Sequence, residues 1–360
     1  MIGIITFQDT TNFGAMLQAY ALQQALKGMG QESEIINYEN EFVSKNEKPI
    51  RLSDIKSLRE FLRFLFLRRS QVKKYKKFKE FQAKYIRLSN DKYDKKNITI
   101  SNSHYDILMA GSDQIWNGEI TNFDFSYFLD FAENSKKIVS YASSLGGYKI
   151  PQMLKSEYYD ILKRFDKICV REKDGAEMLN SDFGLSADVV VDPTLLLSRE
   201  EWEEINNSER IIKEEYVLVY FIDRTRENFR YIKNYARKNK LKVIYLQNFL
   251  KTEFGMKNNR TAGPLEFLNL IRYANVVFTG SFHGLCFSLI YNKNFYMTSS
   301  PARGRQGRIT NLLENVEISY DCIDKMKICN ETAIDYSAVN LKMEQIRNES
   351  LAKLRESVYE

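Results

Sequence analysis

Short apolar runs separated by helical patterns dominate this chain, and that alternation restricts the folds open to it more than any other feature. One series occupies residues 2–7, 34–38, 106–110, 137–142, 168–171 and 189–192, and a second occupies 216–222, 242–246, 275–279 and 294–298. Strands alternating with helices build parallel sheets from right-handed βαβ units. Two separate series predict two Rossmann-like halves, and 360 residues suffice for about two domains of ~150 residues each. In the first unit, a strand at 2–7 and a polar loop at 8–13 precede a helix at 14–29. Met16, Leu17, Tyr20, Ala21, Ala25 and Leu26 recur there at helical spacing. The seam is expected near residues 192–202, where Pro193 closes one strand series before the other begins. The expected division is therefore 1–197, 198–335, and a charged amphipathic helix at 336–360 packing back across both halves.

Charge is distributed unevenly. Residues 45–96 hold 18 basic and 6 acidic side chains, a surplus of 12, while the whole chain nets +6 and its remainder is therefore acidic by 6. This block reads as a basic helical insertion in the first half. Its helical stretch, residues 58–85, starts with the apolar run 58–67 and continues into Arg68-Arg69 and Lys73-Lys74-Tyr75-Lys76-Lys77. Two readings stand open. The insertion either packs its apolar face on the sheet with its lysines solvated, or settles on an anionic membrane surface. A nucleic-acid partner is not expected, because the positive charge is confined to one block and no nucleic-acid module is recognisable.

Other classes are excluded by specific residues. The start, Met1-Ile2-Gly3-Ile4-Ile5-Thr6-Phe7, lacks the charged region and apolar length of a secretory signal. No uncharged stretch reaches the ~18 residues of a membrane span. Cys169, Cys286, Cys322 and Cys329 show no CxxC spacing, so the thiols fit a reducing cytoplasm. With His104 and His283 as the only histidines, a structural metal site is not expected. The phosphate-loop pattern is absent, and Gly28-Met29-Gly30 fails the dinucleotide pattern because Ser33 stands where a third glycine belongs.

Anion chemistry is expected where strands give way to helices at the carboxyl edge of a parallel sheet. Residues 6–14 form one such place, and Ala110-Gly111-Ser112-Asp113-Gln114-Ile115-Trp116-Asn117 a second, although both also suit ordinary turns and caps. The third, Gly280-Ser281-Phe282-His283-Gly284, sets His283 at a helix mouth. That position disfavours imidazolium, so a protonated His283 would surrender its proton readily, and a bound phosphate would keep it charged. Arg303, Arg305 and Arg308 lie in a glycine-containing loop, and Arg171 ends an apolar run. Their forked guanidiniums suit carboxylate and phosphate, the alternatives being solvation or an ion pair of Arg171 with Glu172.

The stretches Gly3-Ile4-Ile5-Thr6-Phe7, Asn12-Phe13-Gly14-Ala15-Met16-Leu17-Gln18-Ala19-Tyr20-Ala21-Leu22, Gly111-Ser112-Asp113-Gln114-Ile115-Trp116-Asn117 and Ser140-Tyr141-Ala142-Ser143-Ser144-Leu145-Gly146 form an ordered series. Val170-Arg171-Glu172-Lys173, Asp192-Pro193-Thr194-Leu195-Leu196-Leu197, Gly280-Ser281-Phe282-His283-Gly284 and Arg308-Ile309 continue it. In order and spacing the series resembles the polysaccharide pyruvyl transferase family over most of the chain. The resemblance implies a glycosyltransferase-B-like fold, two halves facing a cleft, with the acceptor on the first and the donor on the second. It implies transfer of pyruvate from phosphoenolpyruvate, a co-substrate with no further cofactor, onto a sugar of a cell-surface polysaccharide or its lipid-linked precursor, forming a ketal. A lipid-linked acceptor in cell-envelope assembly would bring a cytoplasmic enzyme to the inner face of the membrane.

On that resemblance His283 is the general acid/base. Arg171, Ser281, Arg303, Arg305 and Arg308 bind the donor, and Asn12, Asp113 and Gln114 bind the acceptor. Ser281 stands where some members carry an arginine. Donor binding would then fall to Arg171 and the 303–308 loop, or the donor differs. The alternative is a glycosyltransferase of the same fold using a nucleotide-sugar donor, against which the absence of an Asp-x-Asp pair argues mildly.

Overall fold

The computed structural model describes residues 1–45, 47–222, 224–247, 252–253, 255–297, 306–318 and 334–360. The chain opens with β1 (Ile2–Ile5), α1 (Phe13–Gly28) and β2 (Ser33–Tyr38), then α2 (Glu41–Lys45), the 28-residue α3 (Leu58–Tyr85) and β3 (Leu88–Tyr93). Next come β4 (Ile107–Ala110), α4 (Gly118–Thr121), β5 (Lys137–Ser140), α5 (Lys155–Leu162), β6 (Cys169–Val170), α6 (Lys173–Phe183) and β7 (Asp188–Val189). The second half contains α7 (Arg199–Ile205), β8 (Tyr216–Tyr220), α8 (Arg226–Lys238), β9 (Lys242–Leu246) and β10 (Lys257–Asn259). It continues through α9 (Pro264–Arg272), β11 (Val276–Thr279), α10 (Phe282–Ile290), β12 (Asn294–Met297) and α11 (Gln306–Asn315) to α12 (Tyr336–Tyr359).

Two five-stranded sheets result, ordered β3-β2-β1-β4-β5 and β10-β9-β8-β11-β12, and every pairing in them is parallel. The two orders are the same, so each sheet has a point where the chain reverses direction, between β1 and β4 and between β8 and β11. Ligands of open parallel sheets bind at the carboxyl ends of strands beside such points. β1 and β11 are buried at every residue, as expected when helices cover both faces of a sheet. β6 and β7 pair with each other, and single bridges, Val139 to Lys167 and Ser143 to Val170, join them to β5.

Apolar runs located the central strands and one edge of each sheet, β5 and β12, but not the opposite edges. β3 (Leu88-Ser89-Asn90-Asp91-Lys92-Tyr93) and β10 (Lys257-Asn258-Asn259) are polar outer strands that have no apolar run to betray them. The expected strands at 168–171 and 189–192 shrink to two residues each, because their last residues turn toward the site.

The largest core cluster draws on both halves. Phe13 of α1 stacks on Phe267 of α9 with ring centroids 4.5 Å apart, while Trp202 meets Tyr20 at 5.6 Å and Phe287 at 4.9 Å. α12 hydrogen-bonds to both halves. Tyr359 Oη donates to the Met29 carbonyl at 2.8 Å and Arg347 Nε to the Leu195 carbonyl at 3.0 Å, and Tyr336 Oη donates to the carbonyl of Lys293.

α3 is capped by Ser57, whose Oγ accepts from Glu60 N. Packing of its apolar start on the sheet is not what the structure shows. Leu58, Phe61, Leu62, Leu65 and Phe66 are exposed, and the helix is held instead by Leu67, Phe78 and Phe81. Among the described residues no helix is long and apolar enough to cross a membrane.

Candidate active site

The chain-reversal points of the two sheets face each other, and helix N-termini from both sides converge there. α1 follows β1 and is capped by Asn12, whose side chain accepts from the Gly14 and Ala15 amides. α10 follows β11 and is capped by Ser281, whose Oγ accepts from Gly284 N at 3.3 Å. A Cβ on Gly284 would fall 2.3 Å from Thr279 Oγ1, so glycine lets α10 close onto its own strand. His283, in the first turn of α10, reaches across to α1. A Cβ on Gly14 would lie 1.9 Å from His283 Nδ1.

Asp192 forms the hub. Its Oδ1 accepts from Thr194 N at 3.0 Å and Thr194 Oγ1 at 2.7 Å, fixing the carboxylate in the turn after β7. Its Oδ2 accepts from Arg171 Nη1 at 2.7 Å and Ser112 Oγ at 3.3 Å, and lies 3.5 Å from His283 Nε2. Burial opposes ionisation of Asp192, yet His283, Arg171 and the Thr194 amide outweigh it and hold the carboxyl well below the usual carboxylate range.

Arg171 and Arg308 flank one aromatic ring. Their guanidinium carbons lie 5.2 and 5.7 Å from the centroid of Phe282, and both side chains are buried. Arg171 also approaches Asp113 at 3.5 Å and Glu172 at 3.7 Å, and Arg308 approaches Glu172 at 3.5 Å. Burial would weaken the charge of Arg171, but Asp192, Glu172 and Asp113 more than offset this and raise its proton affinity. Arg308 is less well compensated: burial and then the like charge of Arg171 pull it down to about 10. Burial raises the Glu172 carboxyl, relieved only in part by the two arginines and by Ser144, which donates to its Oε1.

Among the described residues, Arg171 Nε and Nη2, Arg308 Nε, His283 Nε2 and Glu172 Oε2 are all buried without a hydrogen-bond partner. Native interiors pair nearly all such atoms, so five together mark a place built to receive polar ligand groups. Among the described residues no group of three His, Cys, Asp or Glu side chains is arranged to hold a metal ion.

Of the residues singled out in the sequence, Arg171, His283, Arg308 and Asp113 come together. Asp113 adopts φ +80°, a left-handed conformation that side chains disfavour. Bonds from Gln114 N to its carboxylate and from Ser144 N to its carbonyl hold it there, and the carboxylate faces Arg171 from the same half. Asn12 and Ser281 border the cleft as helix caps. Gln114 instead packs its amide over Gly146, where a Cβ would lie 2.0 Å from its oxygen. Arg303 and Arg305 lie outside the described residues. His104 is half exposed, 3.8 Å from Asp91. Sequence reasoning missed Asp192 as the hub and Glu172 as a bridge between both arginines. The available signal is an aspartate before proline at a strand's carboxyl end, a position that also marks the expected seam.

A family model described as polysaccharide pyruvyl transferase matches residues 12–300. The chain belongs to that family. No curated protein sequence matches it. A structure from Listeria monocytogenes described as a UDP-N-acetylglucosamine 2-epimerase is similar in fold, at TM-score 0.51 and 12% identity over 98% of this chain and 93% of that one. The UDP-GlcNAc 2-epimerase of Methanocaldococcus jannaschii, in complex with UDP-GlcNAc and UDP, is similar at TM-score 0.50 and 13% identity over 96% of this chain and 92% of that one. The fold is glycosyltransferase-B-like.

Proposed function

We propose that this polysaccharide pyruvyl transferase takes its pyruvyl group from phosphoenolpyruvate and forms a ketal on a saccharide, free or lipid-linked, of a cell-envelope polysaccharide at the inner face of the membrane. One observation carries the reading: two buried guanidiniums with unpartnered N–H groups flank Phe282 beside His283. Phosphoenolpyruvate carries a carboxylate and a phosphate, and forked guanidiniums suit both. The helix N-termini of α1 and α10 add partial positive charge at the same place. Arg308, supplied by α11, provides the second cation where Ser281 stands in place of an arginine.

His283 then acts as general acid/base. It delivers a proton to the methylene carbon of the donor, and a sugar hydroxyl bonds to the cationic C2 that results. The C2–O bond to phosphate breaks, phosphate leaves with the bonding pair, and a second hydroxyl closes the ketal. The two hydroxyl protons return to His283 and to the departing phosphate. Asp192 holds the imidazole side of this exchange, and Asp113 and Asn12 border the acceptor side.

Incubation with phosphoenolpyruvate and candidate oligosaccharides, followed by mass spectrometry, tests the reaction. A product heavier by one pyruvyl ketal is expected from the wild type. From His283→Ala the yield should fall by about 10²–10⁴-fold. Near-normal turnover by His283→Ala would remove the assignment. A nucleotide-sugar donor is the second reading, drawn from the shared fold. Thermal stabilisation by nucleotide sugars and not by phosphoenolpyruvate would favour it, since only a bound ligand stabilises by mass action.

A further inference from the structure

We infer that the first half of α3 is a docking face for an anionic lipid bilayer. Leu58, Phe61, Leu62 and Leu65 follow the i, i+3, i+4, i+7 spacing of one helical stripe, with Phe66 beside it. They are 75%, 43%, 41%, 56% and 70% exposed, whereas Leu67 is 3% and Phe78 1% exposed. Leu58 and Leu67 are nine positions apart in the helix, and at about 100° per residue they point in opposite directions. The apolar stripe therefore faces away from the core that α3 packs on. Contiguous apolar surface of this kind marks an interaction site.

Charge identifies the occupant. Arg59, Arg63, Arg68, Arg69 and Lys73 surround the stripe and are all exposed. The only acid between residues 58 and 73 is Glu60, and its carboxylate is turned back onto the helix start, accepting from Lys56 N at 2.7 Å and Ser57 Oγ at 3.1 Å. A second copy of this face would oppose like charge to like charge. An anionic bilayer takes leucine and phenylalanine into its acyl boundary while the guanidiniums remain among lipid phosphates.

The placement also serves the cleft. The second half of α3 is seated beside the start of α1: Phe78 meets Phe13 at 5.3 Å, Gln82 donates to the Gln8 carbonyl at 2.6 Å, and Tyr75 Oη donates to Asp9 at 3.2 Å. From Phe78 to Leu62 the helix runs roughly 24 Å at ~1.5 Å per residue. A bilayer on the stripe would thus present lipid-linked saccharides near the cleft. That consequence rests on the saccharide reading above, whereas the lipid contact does not.

The test uses the full chain and vesicles of phosphatidylcholine with or without phosphatidylglycerol. The wild type should sediment with the anionic vesicles at low salt and be released at high salt. Phe61→Ser/Leu65→Ser and Arg63→Glu/Arg69→Glu change exposed side chains, and unchanged melting temperatures would verify their folds. The arginine pair should lower vesicle affinity at least about tenfold, given roughly fivefold per surface cation, and the serine pair by a similar factor through lost burial of two large apolar side chains. No binding to anionic vesicles, or equal binding by the variants, would overturn the assignment. So would a concentration-dependent dimer that Phe61→Ser/Leu65→Ser abolishes, which would give the face to a second copy. Because no donor or acceptor is present, failure here leaves the pyruvyl-transfer reading to its own experiment.

Discussion

Arg171 Nη1 donates to Asp192 Oδ2 across 2.7 Å, with both side chains buried just beyond the carboxyl ends of β6 and β7. The bond fixes one guanidinium edge and leaves Nε and Nη2 without hydrogen-bond partners among the described residues. The remaining N–H groups face the carboxylates of Asp113 at 3.5 Å and Glu172 at 3.7 Å without hydrogen-bonding to them, and so stay open to a ligand.

Asp192→Asn should destabilise the fold by about 3–5 kcal/mol, the usual consequence of removing one partner from a buried ion pair. The pH dependence follows from the depressed carboxyl. Folding then releases a proton from this group, so its contribution is complete above the unfolded value of ~3.9 and is lost as pH falls toward the lower folded value. Urea titrations at neutral and acid pH should show wild type and variant converging only in acid. A constant gap between them would contradict the linkage.

Arg308→Ala should raise the KM for phosphoenolpyruvate about 10- to 100-fold, as expected for loss of hydrogen bonds from a charged donor. Direct titration of the variant with phosphoenolpyruvate should show the same loss of donor affinity, and an unchanged KM would remove Arg308 from the donor site.

Glu172 takes part in a different proton balance. Asp113, Glu172 and Asp192 already oppose Arg171, Arg308 and His283. A donor with both carboxylate and phosphate adds negative charge beside Glu172, whose proton affinity burial has already raised. Donor binding should therefore take up a proton. Calorimetry in buffers of different ionisation enthalpy would detect it, and identical heats in all buffers would refute it. Glu172→Gln should bind the donor with reduced proton uptake.

Gly14→Ala tests the contact between the two helix N-termini. The added methyl would fall 1.9 Å from His283 Nδ1, so the imidazole or α1 must move. Overpacking of this kind costs about 1–3 kcal/mol, and turnover should drop at least about tenfold because a misplaced acid/base loses its geometry. Gly28→Ala, at the other end of α1 with open space around it, should remain active. Equal activity of the two variants would show that His283 tolerates displacement.

The central strands were legible because both sheet faces are covered and their residues form unbroken apolar runs. The edge strands β5 and β12 were legible too, being mostly buried, whereas β3 and β10 were not, since they are polar and largely uncovered. At the site, His283 stood out at a strand-to-helix junction, and Arg171 and Arg308 through their charge in unusual surroundings. Asp192 and Glu172 did not stand out, because their partnerships cross between strands and between halves. Local spacing carries no trace of a contact such as Asp192 with His283 or Glu172 with Arg308. The exposed stripe of α3 had the reverse difficulty: its spacing was plain, but a helix pattern does not say which face the core will choose.

The stack of Phe13 on Phe267 bears on how such enzymes diversify. Cutting the chain between its halves would strip Phe13, Tyr20, Trp202, Phe267 and Phe287 of their packing partners at once. Neither half could then be exchanged for that of a relative as an independent cassette. A half taken from a relative would have to bring aromatic side chains that match these five in shape and position.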